Sequence, residues 1–213
     1  MSYPSDTPVM RLVTPIGHDF WRDAAGKVYY SHLFDRELNV IRGHWVIRGA
    51  DPATFEVLNH NWARDARHVY IHDRRLKADR ESFEILNHIY ARDRDSVFYL
   101  SGTAKEIDRD SFEVLDTGQQ SDGPCTYTNY LTGVTIKADW YGYARDATNV
   151  YFHEMLCGKP RIIRKADRDS FEVVEGQFSR DKDWVFMRET RVKSADRATF
   201  VHVPSFKDRD DRQ

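Results

Sequence analysis

Short apolar runs recur along the chain, and four of them begin four residues after the aspartate of an Arg-Asp pair. Asp can hydrogen-bond the backbone N–H groups just ahead of it, so each Arg-Asp pair predicts a turn. Val followed by an aromatic residue predicts a short strand that is buried on both faces. The spacing joins Asp65 to Val69, Asp93 to Val97, Asp146 to Val150 and Asp181 to Val185, while Asp23 to Val28 has one additional residue.

A second pattern alternates with the first: Ala-Asp is followed by Phe four residues after the aspartate. We predict a single helical turn with Asp as its N-cap, and then a strand of Phe-Glu-Val/Ile composition. The copies are Asp51 to Phe55, Asp79 to Phe83, Asp108 to Phe112 (with Ile for Ala), Asp167 to Phe171 and Asp196 to Phe200. Because 28 residues separate Phe55 from Phe83, the period is one that indicates a solenoid, a propeller or another repeat array.

The phase of the two patterns predicts the number of units. Ten residues separate Phe55 from Asp65, and the same step from Phe112 leads to Asp122. We therefore interpret residues 119–140 as a decayed copy and predict about six units. The fold prediction is a mainly β tandem repeat array of short strand units with single helical turns, which can stack as a solenoid. An N-terminal arm or added edge strand (residues 1–19), one repeat domain (20–206) and a polar tail (207–213) complete the predicted organisation.

The repeat resembles that of the DKNYY family of bacterial proteins. The hallmark of that family is similar to Tyr-Ala-Arg-Asp-x-x-x-Val-Tyr-Tyr followed by Ala-Asp-x-x-Thr-Phe. The nearest copies are Tyr90 to Tyr99 with Asp108 to Phe112, and Tyr143 to Phe152 with Asp167 to Phe171. The resemblance implies no catalytic activity. It also implies a likeness to small cytosolic proteins that neutralise antibacterial toxins.

Composition narrows the classes of partner. Charged residues make up 31% of the chain, yet the net charge is only −2 and the two signs are interleaved. This balance argues against a nucleic acid or a membrane surface as partner. The two cysteines do not form a disulfide framework, and no signal peptide precedes the repeats, so we expect a cytoplasmic location.

The candidate chemistry favours structural roles. A catalytic residue is seldom needed five times, so we expect each Asp of the Arg-Asp pairs to cap its turn. We expect each Arg to pack on an aromatic residue or to pair with the next copy's carboxylate. Asp93 and Asp95 have calcium-loop spacing without the glycine and the further acid of such a loop. Neither Cys125 nor Cys157 has a partner at zinc-finger spacing. We predict no enzymatic activity, no metal and no cofactor.

Two histidines, His60 and His88, occupy equivalent repeat positions and are expected to stack on adjacent copies. The alternative is that both are partly exposed polar residues of strands.

Three insertions interrupt the repeats, at 31–44, 124–132 and 155–160. Insertions in repeat proteins tend to lie on one face, which is often the binding face; the alternative is that they are tolerated surface loops. We predict a non-enzymatic module that binds another protein, in its concrete form an immunity-type protein that binds a toxin. The alternative is a module for glycans or cell-envelope material that uses Trp45, Trp62, Trp140 and Tyr141. The candidate partner-binding residues are Trp45, Tyr127, Tyr130, Trp140, Tyr141 and Met155.

Overall fold

The computed structural model describes residues 13–36, 39–118, 126–128, 135–137, 141–154 and 158–201. They form five four-stranded antiparallel sheets and one hairpin. The first sheet contains β1 (Val13–Gly17), β2 (Phe20–Asp23), β3 (Val28–Arg36) and β4 (Asn39–Val46). The second contains β5 (Glu56–Val57), β6 (Trp62–Arg64), β7 (Val69–Ile71) and β8 (Arg74–Leu76). The third contains β9 (Glu84–Ile85), β10 (Ala91–Arg92), β11 (Val97–Tyr99) and β12 (Gly102–Thr103).

The remaining strands follow the same plan, with one interruption. The fourth sheet contains β13 (Glu113–Val114), β16 (Tyr141–Arg145), β17 (Val150–Glu154) and β18 (Arg161–Ile162). The hairpin of β14 (Thr126–Thr128) and β15 (Thr135–Lys137) lies between its first and second strands in the chain. The fifth sheet contains β19 (Glu172–Glu175), β20 (Phe178–Arg180), β21 (Val185–Met187) and β22 (Thr190–Arg191).

Each sheet is a meander of neighbouring strands that follow one another in the chain, except that the β14–β15 hairpin comes between β13 and β16 of the fourth sheet. Its two central strands are joined by the Arg-Asp turn, as Arg64 opposite Val69 shows. In the described ranges, strands pair only within their own sheet, and none of the sheets closes on itself. The prediction of a mainly β repeat array is confirmed, in the form of separate stacked sheets rather than one continuous curved sheet.

The core lies between successive sheets. Phe20 and Tyr30 of the first sheet share one apolar cluster with Ala63 and Tyr70 of the second. A second cluster runs from the second sheet through the third to Ala144, and a third joins the fourth and fifth sheets. The run 69–71 is buried at every position, as predicted for a strand covered on both faces. Burying a large apolar side chain contributes about 1.5–3 kcal/mol, so stacking supplies the stability that one small sheet lacks.

Two predictions of local structure need correction, and one stated alternative is confirmed. The Asp51–Phe55 segment is not a helical turn but a tight turn closed by one hydrogen bond, from Thr54 N to Asp51 O (3.3 Å). Asp51 still caps it, because Oδ1 accepts the Ala53 N–H at 3.0 Å. Residues 13–17 form β1, the edge strand of the first sheet, so the edge-strand alternative is confirmed for these residues.

The interpretation of 119–140 as a sixth unit is also wrong. Glu113 of β13 pairs with Arg145 of β16 across this segment, so the segment is an insertion inside the fourth sheet. Among the described residues, none belongs to a helix long and apolar enough to cross a membrane.

Candidate functional site

The connections of each meander lie at two opposite ends, because successive strands run in opposite directions. The turns between the second and third strands and the turns that join successive sheets lie at one end, which we call the motif end. The connections between the first and second strands, and between the third and fourth strands, lie at the other. All three insertions belong to this second group. The insertions 31–44 and 155–160 extend third-to-fourth connections, and the segment 119–140, which contains the insertion 124–132, extends a first-to-second connection. We call it the insertion end.

At the motif end, the Asp of four of the Arg-Asp pairs organises two turns at once. Asp65 Oδ1 accepts the N–H groups of Arg67 and His68, both at 2.7 Å. Asp65 Oδ2 accepts the Asp51 N–H at 3.0 Å and the Tyr70 hydroxyl at 2.6 Å. Although burial opposes the shift, these hydrogen bonds lower the pKa of Asp65 to about 2. The backbone contacts recur at Asp93, Asp146 and Asp181.

In four of the five Arg-Asp pairs the Arg has a different partner from those predicted, while Arg22 Nη2 donates to Pro52 O at 2.7 Å. Arg64 Nε donates to Glu56 of the adjacent strand in the same sheet at 2.7 Å. The same cross-strand pair joins Arg92 to Glu84, Arg145 to Glu113 and Arg180 to Glu172. The glutamates are about half exposed, so each pair contributes at most about 1 kcal/mol. These contacts give the Arg of the four pairs a structural role.

Sequence reasoning missed the arginine that links one sheet to the next. Arg80 follows the turn aspartate of the third sheet, and its Nε donates to the backbone oxygen of Asp65 in the second sheet at 2.8 Å. Arg109, Arg168 and Arg197 make the equivalent bond at 2.9–3.0 Å. The signal was present in the sequence, because Arg follows the Asp in four of the five Asp-to-Phe segments.

At the insertion end, an amide or carboxyl side chain holds the first-to-second connection. Asn59 Oδ1 accepts the N–H groups of Asn61 (2.9 Å) and Trp62 (3.0 Å), and Asn87 Oδ1 does the same for the third sheet. Asp116 takes this position in the fourth sheet. Its Oδ1 accepts the Gly118 N–H at 2.9 Å, and its Oδ2 accepts the Tyr143 N–H at 2.7 Å. Asp116 therefore clamps the two sides of the 119–140 insertion.

Burial raises the pKa of Asp116 to about 6, although the bonds from Tyr143 and Gly118 oppose the shift.

Three histidines from the first three sheets also lie at the insertion end. The rings of His18 and His60 contact each other, with centroids 4.1 Å apart. Burial lowers the pKa of His88, and the charges of His60 and His18 lower it further. The ring contact joins His60 to His18 of the preceding copy, so the predicted stacking on an adjacent copy is found for His60. The described residues contain no group of three His, Cys, Asp or Glu side chains suited to a metal ion.

An open groove runs beside the free edge of the fourth sheet, with a volume of about 710 Å³. Its walls come from the third, fourth and fifth sheets. Its lining includes Tyr99, Ala104, Ile107, Tyr151 and Ile162, together with Lys159 and Pro160 of the third insertion. Sequence reasoning missed this groove.

The predicted partner-binding residues are dispersed by the structure. Trp45 lies half-buried on β4, and Tyr127 lies on β14. Tyr130, Trp140 and Met155 fall outside the described residues. Tyr141 is only 3% exposed and packs in the core, so its prediction as a surface contact is wrong.

The model of the DKNYY family matches residues 143–213. This match confirms the resemblance that the repeat predicts. The matched residues include a further copy of the Phe-to-Asp spacing, because Phe200 and Asp210 are ten residues apart. Comparison with curated proteins and with solved structures finds no match.

Proposed function

We propose that this DKNYY family protein is a non-enzymatic binding module whose insertion end docks against another protein. The observation that supports the proposal is that all three insertions extend connections at that end. Chance placement of surface excursions would also populate the motif end. The motif end instead repeats one network of hydrogen bonds from sheet to sheet and is constrained by it.

The concrete form of the proposal is an immunity-type protein that neutralises a toxin by covering it. The family resemblance and the structural role of every repeated Arg-Asp pair support this form. No observation favours the glycan alternative, because two of its four aromatic residues, Trp62 and Tyr141, are buried in the core.

The test is capture of a partner from a lysate of the source organism, using the tagged full-length protein and mass spectrometry. We expect one stoichiometric partner, and for the immunity role we expect it to arrest growth alone and not when co-expressed. A variant in which 119–140 is replaced by a short Gly-Ser link should lose the partner. Thermal unfolding would establish that this variant is folded.

The matched control alters the motif end. Glu81, Asp110 and Asp169 are exposed there, and the triple variant E81K/D110K/D169K should retain the partner. Retention by the shortened variant, or loss by the motif-end variant, would contradict the proposed docking face. Absence of any stoichiometric partner would contradict the binding function itself.

A further inference from the structure

The fourth sheet has a free edge beside the groove. β18 is the last strand in the order β13-β16-β17-β18. Ile163 N donates to Val150 O at 2.9 Å, and Ile162 is opposite Tyr151. Backbone groups of alternate residues in an antiparallel ladder point to opposite sides. The N–H and C=O groups of Ile162 therefore point away from β17, toward the open edge.

The side chain of Ile162 adds an apolar surface to this edge. It is 46% exposed, one of the few large apolar side chains in the described ranges with that degree of exposure. Side chains of an added strand alternate between two faces, so every second residue of a segment paired with β18 would meet the apolar lining near Ile107 and Ile162.

The charges at the rim of the groove are unequal. Lys159 pairs with Glu106 at 3.0 Å, and Arg161 pairs with Glu189. Arg164 also lines the groove and is exposed, and within the described part of the chain its side chain has no ion pair. The rim thus carries one positive charge in excess, which favours a carboxylate on the occupant.

We propose that the groove accepts an extended peptide segment of the partner protein, which adds a strand to β18 and alternates apolar with acidic side chains. Addition of a strand to an exposed sheet edge is an established mode of peptide recognition. Main-chain hydrogen bonds to Ile162 supply affinity, the apolar lining selects alternate side chains, and Arg164 binds the acid. The proposal rests on the protein-binding function above and names the chemistry of the bound segment.

The experiment uses a displayed library of random twelve-residue peptides, selected on the immobilised full-length protein. Enriched peptides should alternate β-branched or aromatic residues with Asp or Glu. Fluorescence anisotropy of one labelled synthetic peptide then gives Kd for each variant. Ile162→Asp should weaken binding by about tenfold or more, since the substitution places a charge in the apolar contact, and Arg164→Glu should weaken it several-fold.

Met187→Asp is the matched control, because Met187 is 45% exposed but does not line the groove. It should leave Kd within twofold of the original. On peptide binding, the amide hydrogen of Ile162 should exchange more slowly with solvent. A peptide that contacts the groove without a main-chain hydrogen bond to Ile162 would not produce this change. A library without enrichment, an unchanged Kd for Ile162→Asp, or enriched peptides lacking acidic residues would overturn the proposal. If Ile162→Asp still captures the natural partner through the insertion end, the groove proposal fails while the binding function stands.

Discussion

Replacement of Asp116 by Asn should stabilise the protein at neutral pH and leave it unchanged near pH 4. The pKa of Asp116 is raised from 3.8 to about 6, chiefly by burial. A raised carboxyl pKa means that the folded state holds its proton more tightly than the unfolded state. Stability is therefore lost as pH rises from about 4 to about 6. One pKa unit corresponds to about 1.4 kcal/mol, so the ionised carboxyl costs about 2–3 kcal/mol at pH 7.

Asparagine suits this position, because the second and third sheets already use it. Asn59 and Asn87 each accept two backbone N–H groups with a single amide oxygen. Asn at 116 can accept the Gly118 and Tyr143 N–H groups in the same way without a buried charge.

The assay is urea unfolding of both proteins at intervals between pH 4 and pH 7. The difference in unfolding free energy should grow from near zero at pH 4 to about 2–3 kcal/mol at pH 7. His153 titrates with the opposite sign, since burial lowers its pKa to about 4 and stability is lost as pH falls below about 6.5. In the original protein, the pH dependence due to His153 partly cancels the pH dependence due to Asp116. Because both proteins contain His153, its contribution drops out of the difference between their unfolding free energies. A difference that does not vary with pH would refute the buried, proton-retaining carboxyl. A variant less stable at pH 7 would show that both carboxylate oxygens are needed.

Two further predictions concern the motif end. Asp93→Ala removes the acceptor for the N–H groups of Asp95, Ser96 and Asp79, and it should lower the unfolding free energy by about 3–5 kcal/mol. The control is the surface substitution Asp95→Ala, which should change the unfolding free energy by less than about 0.5 kcal/mol. Equal effects of the two substitutions would contradict the capping role of Asp93. A double-mutant cycle on Arg92 and Glu84 should give a coupling free energy below about 1 kcal/mol that weakens in high salt, because Glu84 is half exposed. A larger coupling free energy that does not depend on salt would contradict the surface character of the pair.

The repeated features of the fold were predictable from the sequence. Asp93 and the run from Val97 to Tyr99 are at the same spacing in other copies, and each local rule for turns and strands applies to them without tertiary information. The fourth sheet was not predictable in this way. The ten-residue step from Phe112 to Asp122 matches the repeat by coincidence, and only the pairing of β13 with β16 shows that the segment is inserted.

Once the strand order of the meander is known, the positions of the insertions in the sequence are enough to place them at one end. The groove cannot be deduced in this way. Tyr99, Ile162 and Glu189 come from three different sheets, so no local pattern connects them. Tyr141 was misassigned because β16 begins earlier than the central strands of other sheets. The role of Asp116 could have been found, since it lies four residues after Phe112, as Asn59 lies four after Phe55.

The interrupted fourth sheet has a consequence for the order of folding. In the third sheet, Arg92 and Glu84 are 8 residues apart in the chain, whereas Arg145 and Glu113 are 32 apart. Two doublings of loop length add about 1.2 kcal/mol of closure entropy, enough to slow that step by about eightfold. The first three sheets can therefore form by local contacts before β13 has paired with β16. We expect closure of the fourth sheet to come after this, so the segment with the largest insertion is expected to delay that sheet relative to the first three.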